Sequence, residues 1–169
     1  MIQFIRNYLT RSKAIAANKL RKKKFLEWGE IKSIALILDK ETSYNKSKLD
    51  EFIASLGVFT EVFYCEINSK TPSYNDWNCL TKKDKNIWAL PAGVEIEKIK
   101  KKKFDLVISL NRKSHLYSAY LTSILDAVFK IGTKDVCGEL DIIIETETGK
   151  SPEQDLNEIL RYLKMIKTK

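Results

Sequence analysis

Phe104-Asp105-Leu106-Val107-Ile108-Ser109-Leu110 leads through Asn111-Arg112-Lys113-Ser114-His115 and Leu116 to Val128 into Phe129-Lys130-Ile131-Gly132-Thr133. The opening run is apolar except for Asp105 and Ser109, and a run that short reads as a strand buried on both faces. From Ser114 the period changes. Leu116, Tyr117, Tyr120, Leu121, Ile124, Leu125 and Val128 recur at three- and four-residue steps, as an amphipathic helix requires. Phe129 to Gly132 returns to extended chain. Strand, helix and strand in succession predict a right-handed βαβ crossover within a parallel sheet.

The flanking sequence extends that pattern. Ile31 to Asp39 reads as the first strand, with Ile34-Ala35-Leu36-Ile37-Leu38 as the continuous apolar run of a central parallel strand. Ser47 to Leu56 predicts a helix with Leu49, Phe52, Ile53 and Leu56 inward and Gly57 at its stop. Thr60 to Ile67 is the second strand. Asn68 to Lys85 contains Pro72, Asn75, Asp76 and Asn78 and reads as a long surface connection. Asn86 to Leu90 is expected as another short strand, and Val94, Ile96 and Ile99 as a short helix running into Lys98 and Lys100 to Lys103. Leu140 to Glu145 predicts a further strand. Ser151-Pro152-Glu153-Gln154 starts the closing helix with a capping serine, an early proline and a glutamine three residues on. The expected architecture is a single Rossmann-like three-layer α/β domain over residues 29–169, with a mostly parallel sheet, preceded by a basic N-terminal helical arm over residues 1–28.

Charge is concentrated in that arm. The 169 residues contain 30 basic and 22 acidic side chains, a net charge of +8. Arg6, Arg11, Lys13, Lys19, Arg21, Lys22, Lys23 and Lys24 face one acid, Glu27, within the first 28 residues, so the arm carries +7 and the remainder +1. Such arms meet polyanions, RNA, DNA or anionic lipid, although a solvated helix that merely aids solubility has the same composition. Ile5, Leu9, Ser12, Ala16 and Leu20 fall on one face, a narrow stripe suited to a helix that projects from the core and gains order from a partner. Phe4, Ile5, Tyr8 and Leu9 also suit a membrane interface. Phe25, Leu26 and Trp28 are expected to pin the end of the arm to the domain.

Several chemistries find no support. Cys65, Cys79 and Cys137 are odd in number, far apart and outside any metal-ligand spacing, which argues for a reducing compartment and against a disulfide framework or a zinc site. No signal-peptide pattern and no run of roughly 20 apolar residues occurs, so a cytoplasmic protein without a transmembrane segment is expected. Lys40-Glu41-Thr42-Ser43-Tyr44-Asn45, after the first strand, contains no glycine and matches neither the dinucleotide fingerprint nor the P-loop. No cofactor or metal is therefore expected. His115 lacks an identifiable orienting acid or nucleophile, so no catalytic residue is assigned. Asp39, Asn111, Ser114 and His115 nonetheless gather at the carboxyl edge of the sheet, where parallel sheets bind ligands, and suit a ribose or sugar hydroxyl. Asp39 and Asn111 equally serve as ordinary turn formers. Asp105 and Asp141, near strand starts, read as structural. Tyr74, Trp77 and Trp88 suit either base stacking or cover for the core edge.

Lys32-Ser33-Ile34-Ala35-Leu36-Ile37, Trp88-Ala89-Leu90-Pro91, Phe104 to Leu110, Ala127 to Gly132 and Leu160-Arg161-Tyr162-Leu163-Lys164 together resemble a family of small uncharacterised proteins from Bacteroidota. The resemblance covers most of the chain and implies a bacterial cytosolic protein, with no catalytic residues to carry over. Phe104 to Ile108, its helix and Lys130-Ile131-Gly132 are similar to the N-terminal half of heptosyltransferase-type glycosyltransferases of the GT-B class. That likeness implies a parallel sheet, and the chain is long enough for one of the two halves such enzymes need. The expected function is a non-enzymatic binding protein whose arm, helped by Lys100, Lys101, Lys102 and Lys103, contacts RNA or a ribonucleoprotein such as the ribosome. A membrane- or translocon-associated scaffold and a nucleotide- or sugar-binding module are the alternatives.

Overall fold

Apolar runs flanked by polar turns assemble into one parallel sheet in a computed structural model of the chain, which describes residues 2–19, 21–40, 42, 44–111, 115–145 and 150–166, with side chains from residue 7 onward. The elements are α1 (Ile2–Lys19), β1 (Ser33–Asp39), α2 (Lys46–Ser55), β2 (Phe59–Cys65), β3 (Asn78–Leu80), α3 (Val94–Ile99), β4 (Lys103–Ser109), α4 (Leu116–Ile124), β5 (Asp126–Gly132), β6 (Ile142–Ile143) and α5 (Pro152–Met165). The strands lie in the order β3-β2-β1-β4-β5-β6, and every neighbouring pair is parallel. This is the order of doubly wound Rossmann-like sheets.

Alternation along the strands divides the core. Leu36, Leu38, Leu106 and Ile108 meet Leu49 of α2 and Leu156, Ile159, Leu160 and Leu163 of α5. Ala35, Ile37 and Val107 point the other way, to Ile96 and Ile99 of α3 and Tyr117 and Leu121 of α4. With both faces covered, a central strand gains from apolar residues at every position.

Four local readings need correction. The first concerns the face by which α1 is held. Its buried residues are Thr10, Ala14 and Asn18, and Ala14 packs with Ala119 of α4 and Cys137. Leu9, Ser12 and Ala16, from the expected apolar stripe, are instead exposed. Helix axes approach closely where side chains are small, so a short polar stripe docks while the larger apolar one faces out. The helix therefore lies against the domain rather than projecting from it. Further along, Phe25 stacks on Phe129 with ring centroids 5.2 Å apart, and Leu26 is buried, as expected of a pinned arm.

The second correction is the end of α4. The helix stops at Ile124, with Leu125 already extended (ψ 131°), because the apolar spacing of Leu125 and Val128 belongs to β5 and the approach to it. Third, the connection between β2 and α3 contains β3, three residues paired parallel to β2 from Phe63 to Cys65. Trp77 beside it is buried, and it clusters with Tyr64 and Tyr74 at centroid separations of 4.7–5.8 Å. These rings cover the core edge. Fourth, Asn86 to Leu90 is a tight turn rather than a strand: Asn86 Oδ1 accepts from the amides of Trp88 and Leu90 at 2.9 and 3.2 Å.

Among the described residues, no helix is long and apolar enough to cross a membrane, and no group of three or more His, Cys, Asp or Glu side chains is placed to hold a metal ion.

Candidate functional site

The strand order reverses between β1 and β4, so the connections leaving their carboxyl ends diverge and open a crevice. A cavity of about 200 Å³ occupies this edge, lined by Asp39, Lys40, Cys65, Glu66, His115 and Tyr117 among others. Asp39 ends β1 and is 2% exposed. Its Oδ1 accepts from the amide and hydroxyl of Thr42 at 2.9 and 3.1 Å. Its Oδ2 is buried and has no hydrogen-bond partner among the described residues.

Glu66, the residue after β2, is also buried. It accepts from the amide of Ser73 at 2.6 Å and from the Ser73 hydroxyl, and Lys40 Nζ lies 3.5 Å away. Burial alone would raise this carboxyl, but the Ser73 hydrogen bonds outweigh it and hold Glu66 below the ordinary glutamate value. Burial pushes the Cys65 thiol upward, so the sulfur stays protonated and is not a nucleophile. Burial likewise raises the Tyr117 phenol, which donates to the Asp84 carbonyl at 2.9 Å.

A second cavity of about 590 Å³ adjoins the first and shares Ile67, His115 and Tyr117 with it. Its outer wall comes from α1, through Asn7, Thr10 and Arg11, and from Asp135 and Val136. Arg11 donates to the Val136 carbonyl at 3.4 Å. The N-terminal helix thus contributes directly to the carboxyl edge of the sheet.

The opposite edge is basic. A groove of about 540 Å³ is lined by Arg21, Lys22, Lys103, Asp105 and Asp126 among others. Lys19, Lys22, Lys100, Lys101 and Lys103 are exposed. Several cations here are paired: Lys23 with Asp141 at 3.0 Å, Lys24 with Glu30 at 3.2 Å, Lys100 with Glu97 at 2.7 Å, and Lys102 with Glu61. Asp105 is turned inward, accepting from the amides of Lys32 and Ser33 at 2.8 and 3.0 Å. Asp141 accepts from the Lys130 amide at 2.9 Å.

With this geometry in hand, comparison with protein families finds a match over residues 3–166 to a family described as "Family of unknown function (DUF6913)". The chain belongs to that family. Comparison with curated proteins and with solved structures found no match. Family membership therefore assigns no activity, and the side chains must supply the functional argument.

Of the expected pocket residues, Asp39 and His115 line the inner cavity. Asn111 does not: it is fully buried after β4, its amide donates to Ser109 Oγ at 2.9 Å, and its Oδ1 has no partner among the described residues. Ser114 lies outside the described residues, as does the side chain of Arg6. Arg21 leaves the set of exposed cations, because its side chain is 5% exposed and its guanidinium bonds Asp141 at 2.5 Å. It also donates to the carbonyls of Ala127 and Val128 at 3.1 and 3.0 Å. Sequence reasoning missed Lys40 and Glu66 at the cavity, although an acid directly after a parallel strand is a readable sign of that edge.

Proposed function

We propose that this chain is a cytoplasmic binding protein whose basic edge contacts RNA, free or within a ribonucleoprotein. The carrying observation is that Lys22 and Lys103, from two basic runs far apart in sequence, line one groove. One oxygen each of Asp105 and Asp141 accepts from backbone amides within the fold and the other oxygen of Asp141 pairs with Arg21 and Lys23, whereas Lys19, Lys22, Lys101 and Lys103 stand exposed. Among the groove's lining residues, Asp126 is the exposed acid. Four phosphate contacts on such a surface would make log K fall against log salt with a slope of roughly −3 to −4.

The test is fluorescence anisotropy of a labelled single-stranded RNA across a salt series, with wild type and the Lys22→Glu/Lys103→Glu double variant. The expected result is salt-sensitive binding that weakens at least about tenfold in the variant and shows a shallower slope. Binding unchanged by the two substitutions overturns the proposal. So does sedimentation with phosphatidylglycerol vesicles in the absence of RNA binding, which would assign the surface to a membrane through the exposed Tyr8, Leu9 and Ile15.

A further inference from the structure

Asp39 lines the inner strand-end cavity, and its Oδ2 is buried with no hydrogen-bond donor among the described residues. Leaving a buried charged acceptor unpaired is costly, and such groups are rare in folded proteins. The described donors nearby serve other acceptors, Lys40 with at least one of its three N–H groups. Thr42 serves Oδ1, the Tyr44 hydroxyl donates to the Leu110 carbonyl at 3.4 Å, Lys40 Nζ bonds Ser69 Oγ at 2.8 Å, and Tyr117 serves Asp84. Among the described residues none serves Oδ2, which leaves that oxygen open to a donor from a ligand.

The surroundings narrow what that donor can be. Two carboxylates, Asp39 and Glu66, disfavour a phosphate at the inner end, and the glycine-free turn after β1 offers no pyrophosphate cradle. An ammonium group would meet Lys40, which already lies beside Glu66. A neutral hydroxyl pair fits both signs: one hydroxyl donates to Asp39 Oδ2, while a neighbouring oxygen accepts from the side chain of Lys40 or Asn68, both of which line the cavity. Ile67 and Tyr117 supply apolar wall for the carbon face of a sugar ring. Beyond them the outer cavity, reached past His115, has room for a substituent on that ring. The two volumes together fall within the roughly 300–1,000 Å³ of small-molecule sites.

We infer that this cleft binds a vicinal diol, of a small sugar or of the ribose of a nucleoside, with Asp39 as the acceptor at its floor. The site is at the edge opposite the basic groove, so the two proposals fail independently.

The test uses the full chain and saturation-transfer NMR with ribose, glucose, adenosine and uridine, and with 2′-deoxyadenosine as the diol-free control, together with thermal unfolding of each variant. At least one diol probe is expected to bind. The Asp39→Asn variant, which keeps an oxygen for Thr42, is expected to weaken that probe at least about tenfold at an unchanged unfolding temperature. Ile67→Trp, at the half-buried neck between the cavities, is expected to block the same probe. Binding of ribose or glucose alone assigns a free sugar, and binding of adenosine or uridine with rejection of 2′-deoxyadenosine assigns a nucleoside. The inference is overturned if no diol probe binds at millimolar concentration, if 2′-deoxyadenosine binds as well as adenosine and no free sugar binds, or if binding survives Asp39→Asn.

Discussion

Lys130 Nζ donates to the carbonyl oxygens of Thr122 and Ser123, 2.8 and 2.9 Å away, from a strand position with no exposed surface. A lysine in the middle of β5 thereby closes the last turn of α4, whose final carbonyls have no intrahelical partner. Burial first, and the nearby Arg21 charge second, lower the ammonium from its ordinary 10.5 to about 7. Between those values the unfolded chain holds the extra proton, so folded stability rises as pH increases through the window and the gain is complete above it. Chemical denaturation at pH 7 and pH 9 is expected to show an increase of roughly 2–3 kcal/mol attributable to this residue, since one pH unit across such a window is worth about 1.4 kcal/mol. The Lys130→Met variant should lack that increase. Equal pH slopes for the two proteins would mean that the lysine stays charged in the fold.

Arg21 and Asp141 form a pair whose side chains are 5% and 6% exposed. Burial would raise Asp141, but Arg21 and then Lys23 outweigh it and hold the carboxyl below its usual value. Arg21→Met removes one partner and two carbonyl contacts while Lys23 remains, so a loss of about 2–4 kcal/mol is expected by urea denaturation. A loss under about 0.5 kcal/mol would place Arg21 among ordinary surface cations.

Gly132 ends β5 where β4 passes close by. A Cβ built there would sit 2.5 Å from the Ser109 carbonyl oxygen and 3.0 Å from Leu140 Cδ1. The backbone oxygen cannot move without breaking the β4–β5 register, so Gly132→Ala is expected to cost about 2 kcal/mol or more. An unfolding midpoint within about 1 °C of wild type would contradict that packing.

The fold was legible largely because buried parallel strands leave continuous apolar runs, and β1, β4 and β5 were found on that signal. β3 escaped because three residues with one buried side chain carry too little pattern. The face of α1 was misread for a definite reason: hydrophobic periodicity locates the most apolar stripe, whereas Thr10, Ala14 and Asn18 dock through closeness and hydrogen bonding, Asn18 donating to the Gly138 carbonyl. At the cleft, Asp39 and His115 were readable from their positions at element ends. Glu66 carries the same signal directly after β2, but its pairing with Lys40 was not readable, since it depends on Ser69 and Ser73 in a connection without regular structure.

The docking of α1 also fixes an order of events during synthesis. Arg11, Asn18 and Arg21 find their partners Val136, Gly138 and Asp141 at separations of 120–125 residues. At roughly 5–20 residues per second, α1 waits on the order of 6–25 seconds for the segment that holds it. During that interval the face carrying Thr10, Ala14 and Asn18 has no domain to rest on, so nascent chains are exposed to holding factors and to premature association through α1, which docks only when the loop after β5 arrives.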